Sequence, residues 1–104
     1  MMVRLRRAPI ILVASAEPGL ADQVVSRLRH DGATAYASHS ADGCLRVATS
    51  IGPDVILIDP MLEQRGRLMR LLRAHPTSAR AQLQPLTDAA ERAEVERTAH
   101  LVAA

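Results

Sequence analysis

The chain has no lysine, no phenylalanine and no tryptophan, and only one tyrosine (Tyr36) and one cysteine (Cys44) in 104 residues. A single cysteine excludes an internal disulfide and any multi-cysteine metal site. The four histidines, His30, His39, His75 and His100, are scattered. No two stand at ligand spacing on one helix, so surface side chains are expected rather than zinc ligands. No apolar run approaches the roughly 18–20 residues that cross a bilayer. Residues 10–13 are too short an apolar stretch for a signal peptide, and the small-residue cleavage pattern is poorly formed. A cytoplasmic location with no membrane partner is therefore the expectation. The cationic residues are all arginine, and the net charge is only +2, too small to argue for nucleic acid. Arg4, Arg6 and Arg7 are expected in a solvated basic arm over residues 1–8.

What is present is a chain that is 48% hydrophobic and long enough for one compact domain over residues 9–104. PIILVAS at 9–15 and VILI at 55–58 are nearly uninterrupted apolar runs, the signature of strands covered on both faces. Between them, Leu20, Val24 and Leu28 recur every four residues and predict a helix over 17–31, with Pro18 near its start. Asp31-Gly32 marks a turn, and ATAYA at 33–37 reads as a short strand. A second helix over 42–51 carries Cys44, Val47, Ala48 and Ile51 on one side and ends at Gly52-Pro53. After the PDVILID strand comes a loop containing Gly66. A third helix over 67–74 then turns Leu68, Leu71 and Leu72 inward, and Pro76 stops it. Residues 82–86 predict a fourth strand despite Pro85. Asp88 is expected to cap a helix over 89–98, and 100–104 offers a short fifth strand. Alternating strands and helices predict a parallel sheet with helices on both faces and chemistry at the carboxyl ends of the strands.

These segments resemble the receiver domain of bacterial response regulators, a CheY-like, flavodoxin-like α/β fold. The resemblance rests on ILVASAEP, on PDVILIDPML and on Leu86-Thr87, in that order and at the family's usual intervals. It implies a doubly wound parallel sheet of four to five strands. Asp59 falls in the phosphoacceptor position and Thr87 in the switch position. The family's metal-binding acidic pair corresponds to Ser15 and Ala16, beside Glu17, so the acidic pocket is expected to be degenerate. Asp59 alone would be a weak Mg²⁺ ligand, so no cofactor is expected unless the chain is phosphorylated. The family's conserved lysine has no counterpart anywhere in the chain; Ala103 stands in its place if LVAA aligns with the end of the fifth strand. The chain also stops where a receiver begins its last helix. A missing final helix leaves apolar sheet surface and an open edge, which implies a homodimer or a partner-bound form, or else a longer protein whose next segment completes the fold.

The expectation is therefore a pseudo-receiver, a non-enzymatic interaction module in bacterial signalling that binds a protein partner without a phosphorylation cycle. The alternative is a true receiver phosphorylated on Asp59. A hydrolase or nucleotide-binding reading lacks G-x-G-x-x-G, Walker and nucleophile-elbow sequences, and no helix-turn-helix remains for direct DNA binding. Cys44 reads as a small core residue. Arg65, Arg67, Arg70 and Arg73 read as a solvated helix face, or as a docking surface for an acidic partner.

Overall fold

The computed structural model describes residues 8–87, and the element order is β1 (Ile10–Ala14), α1 (Leu20–His30), β2 (Thr34–Ser38), α2 (Ala41–Ile51), β3 (Val55–Ile58), α3 (Arg65–Ala74) and β4 (Gln82–Pro85). The four strands form one parallel sheet in the order β2-β1-β3-β4. The parallel α/β sheet is the one expected from the alternating pattern, and its strand order is the flavodoxin-like one that the resemblance implies. The expected 89–98 helix with its Asp88 cap, the 100–104 strand, Ala103 and nearly all of the basic arm lie outside the described residues.

β1 and β3 are central strands, and their apolar runs follow from that position: Ile11 to Ala14 and Val55 to Ile58 are all buried. Alternate residues feed two cores. Ile11, Val13, Val55 and Leu57 pack with Ala21, Val25 and Leu28 of α1 on one face. Leu12, Ala14, Ile56 and Ile58 pack with Cys44 and Ala48 of α2 and Leu68 and Leu72 of α3 on the other.

The helices differ from expectation in detail. α1 begins at Leu20, not at residue 17, because Glu17 to Gly19 form the entry turn and Gly19 sits in the left-handed region at φ 80°. Its buried positions are Ala21, Val25 and Leu28, with Leu20 and Val24 at the edge of the core. The inward stripe is thus rotated by one residue at its N-terminal end, where small Ala21 allows close approach to the sheet. On α2, Cys44 and Ala48 are buried while Val47 and Ile51 are half-buried. Ser40 caps this helix, its hydroxyl oxygen accepting the Gly43 N–H at 3.0 Å. Gly52 ends it at φ 59°.

α3 starts at Arg65, so Gly66 is helical rather than in the loop; the turn is made by Gln64, at φ 63°. Leu68 and Leu72 are buried, and Leu71 is only half-buried. Pro85 ends β4 without breaking it, since the strand pairs with β3 alone among the described residues. Asp54, just before β3, accepts the Ile10 N–H on Oδ2 at 2.8 Å and fixes the start of β1 beside it.

Candidate functional site

The carboxyl ends of β1 and β3 meet at Ser15 and Asp59. Asp59 N–H donates to the Ala14 carbonyl at 2.9 Å and Ser15 N–H to the Ser38 carbonyl at 3.1 Å, so the backbone ladders run through both positions. The Ser15 side chain is fully buried, and its hydroxyl donates to Asp59 Oδ2 at 2.8 Å. The Ser15 hydroxyl oxygen in turn accepts the Glu17 N–H at 3.1 Å, which folds the β1–α1 turn back over the strand end. The other carboxylate oxygen, Asp59 Oδ1, accepts the Met61 N–H at 2.9 Å, and the Asp59 carbonyl accepts the Leu62 N–H at 2.9 Å. Asp59 is therefore half-buried with an internal donor on each carboxylate oxygen.

The other residues singled out from the sequence are arranged around this pair. Ala16 and Glu17 are both exposed, and it is the Glu17 backbone that reaches the site. Leu86 N–H donates to the Ile58 carbonyl at 2.9 Å, which brings the 86–87 segment alongside the end of β3 and leaves Thr87 exposed. Among the described residues no three His, Cys, Asp or Glu side chains gather where they could hold a metal ion. An open cleft of about 430 Å³ lies next to the pair, lined by Ala16, His39, Ser40, Asp42, Met61 and Glu63 among others. Met61 is 86% exposed at its rim, a large apolar side chain left in water beside the carboxylate. His39, on the opposite wall, approaches Asp22 of α1 at 3.4 Å, with both side chains more than half exposed.

Two further strand-end groups have roles that the sequence did not assign. Ser38 is buried and donates to the Val13 carbonyl at 3.2 Å, which ties the end of β2 to β1 two residues before Ser15. Asp54 does the corresponding work at the opposite end of the sheet. Ser38 carries no local sequence signal and Asp54 appears only as part of the PDVILID strand, because both partners lie far away along the chain. Cys44 lies in the core, where burial pushes its thiol up to about 11, opposed by a hydrogen bond with Ser38. A neutral buried thiol matches its reading as a small core residue.

Arg73 is not simply a solvated side chain: its Nη1 donates to the Ala79 and Ala81 carbonyls, each at 3.0 Å, and closes the α3–β4 loop. Arg65, Arg67 and Arg70 are exposed. His30 and His39 are exposed and His75 is half-buried, its Nδ1 accepting the Thr77 N–H at 3.1 Å; His100 lies outside the described residues. No helix among the described residues is long and apolar enough to cross a membrane.

Comparison with known proteins gives the same fold. No protein-family model and no curated protein matches the chain. Solved structures do. The N-terminal domain of a response regulator receiver protein from Methanoculleus marisnigri JR1 aligns with a TM-score of 0.66 at 24% identity, covering 86% of this chain and 77% of that one. A response regulator receiver protein from Pseudomonas putida aligns at 0.64 and 18% identity, over 90% and 82% of the two chains. The receiver domain of the Francisella response regulator 1452 aligns at 0.62 and 20%, over 88% and 78%. The order of strands, the position of Asp59 at the end of β3 and these alignments agree that the chain has the fold of response-regulator receiver domains.

Proposed function

We propose that the chain is a receiver-like signalling module that acts by docking a protein partner and does so without a phosphorylation cycle. The observation that carries this reading is the state of Asp59. One carboxylate oxygen takes the Ser15 hydroxyl and the other the Met61 N–H. In a receiver, transfer to the aspartate depends on a divalent cation that offsets charge on the phosphoryl group. Mg²⁺ is a hard ion that favours carboxylate oxygens in a near-octahedral set. Here Asp59 faces a hydroxyl that is donating to it, Ala16 offers no side-chain donor atom, and the Glu17 side chain is exposed. These residues do not fit an Mg²⁺ centre. The absence of lysine also removes the ammonium that would pair with an acyl phosphate. Asp59 is then a structural carboxylate that ties β3 to β1, and the surfaces of the helices and loops carry the interaction.

A second reading, a receiver phosphorylated on Asp59, draws support from one feature. Asp59 is only half-buried, and the 86–87 segment runs beside it. A phosphoryl group there would add negative charge close to Thr87. The two readings separate on intact mass after incubation with acetyl phosphate and Mg²⁺, with an Asp59→Asn control. The first expects no adduct on folded protein. An adduct of one phosphoryl group that disappears in Asp59→Asn would establish the second.

A further inference from the structure

On the face away from the sheet, α2 and α3 leave an apolar groove of about 320 Å³ between them, lined by Leu45, Thr49, Leu71, Ala74, His75 and Pro76. Thr49 contributes its methyl side, since its hydroxyl donates back to the Leu45 carbonyl at 2.8 Å. Along α3, Arg67, Leu71 and Ala74 stand at the four- and three-residue spacing that places them on one helical face. The apolar stripe therefore ends in a guanidinium. Arg46 follows Leu45 on α2 and Arg70 precedes Leu71 on α3, and all three arginines are exposed. Among the described residues none of the three guanidiniums has an ion-pair or hydrogen-bond partner. α3 itself contains no acidic residue. An apolar floor with a cationic rim is thus presented by two packed helices.

We propose that this groove docks an acidic amphipathic helix of a partner protein; the inference rests on the interaction-module reading and assigns its surface. An amphipathic helix lays leucine-like side chains at i, i+4 and i+7 into such a groove. Glutamates or aspartates flanking that stripe meet Arg46, Arg67 and Arg70. A second copy of this chain fits poorly, because a two-fold contact through the groove brings the same cationic rims together. Nucleic acid fits poorly as well, since a phosphodiester backbone gains nothing from the apolar floor.

The test uses the full chain, labelled with ¹⁵N, and two synthetic helical peptides. One carries leucine at i, i+4 and i+7 with glutamate on both flanks; the other has lysine in place of each glutamate. The proposal expects saturable shifts of the Leu45, Thr49, Leu71 and Ala74 amides with the acidic peptide and none with the basic one. It expects binding to weaken about tenfold in R67E/R70E, whose unchanged spectrum elsewhere verifies the fold. Equal response to both peptides, shifts confined to another face, or no shift at all would overturn it. So would shifts in the groove on raising protein concentration alone, the outcome for self-association. Repeating the titration on Asp59→Asn, with and without acetyl phosphate, keeps the two claims apart. Peptide binding that depends on the phosphodonor and is lost in Asp59→Asn would retain the groove and overturn the phosphorylation-independent reading.

Discussion

At the scale of single residues, the buried Ser15 hydroxyl and the half-buried Asp59 carboxylate meet across two neighbouring strands. Ser15 is enclosed at the end of β1, and its donation to Asp59 is matched by acceptance from Glu17 N–H. Replacing it with alanine removes a charge-assisted hydrogen bond worth up to about 3 kcal/mol in a dry site. Asp59 is half-exposed and can recruit water, so Ser15→Ala is expected to cost about 1 kcal/mol, read as a lower urea midpoint at constant slope. An unchanged midpoint would mean that the Ser15 hydrogen bond contributes nothing to stability. Cys44 gives a second expectation. Its thiol is raised from 9.0 to about 11 in the folded chain. The folded state therefore holds this proton where the unfolded state has begun to lose it. The associated stability is complete below pH 9 and falls as pH rises towards 11. Cys44 should resist thiol reagents at pH 8 in the folded protein and react readily in urea. The sequence places Ser15 and Asp59 at matching strand ends. It does not reveal that the hydroxyl points at the carboxylate, because the two are 44 residues apart and only the parallel pairing of β1 with β3 joins them.

At the scale of elements, arginines that look alike in the sequence separate into different roles. Arg73 holds two carbonyls of the α3–β4 loop, whereas Arg67 is exposed. Arg73→Ala is expected to lower stability by about 1–2 kcal/mol, and Arg67→Ala to leave it within about 0.5 kcal/mol, as measured by thermal or urea unfolding. Comparable losses in both would contradict this division of roles. The cap of α2 is a similar local device: Ser40→Ala leaves the Gly43 N–H without its acceptor and should cost about 1 kcal/mol. Periodicity identifies α1, α2 and α3 well, because their buried positions recur at helical spacing. It misjudges where helices begin. The starts are set by left-handed turns at Gly19 and Gln64, and Gln64 has no side-chain preference that announces such a turn. The α1 stripe is misread by one position because alanine carries little hydrophobic signal, although Ala21 is fully buried.

At the scale of the whole molecule, the parallel order β2-β1-β3-β4 divides the apolar residues of β1 and β3 between two cores and brings Ser15 and Asp59 together at the carboxyl ends of the two central strands. That architecture was legible because central parallel strands are apolar on both faces and therefore stand out as short continuous runs. The groove between α2 and α3 was not, since it depends on how two helices lie against each other. The same architecture yields a rebuilding experiment. Ser15→Asp with Ala16→Asp would set two carboxylates against Asp59 and remove the hydroxyl that now occupies it. Adding Mg²⁺ to the unaltered chain while following the Ser15, Ala16 and Asp59 amides distinguishes a hydrogen-bonded strand tie at the end of β3 from a metal centre. A strand tie gives no saturable shift up to about 10 mM in the unaltered protein, and saturable binding in the double variant. Saturable Mg²⁺ binding by the unaltered chain, abolished in Asp59→Asn, would contradict it.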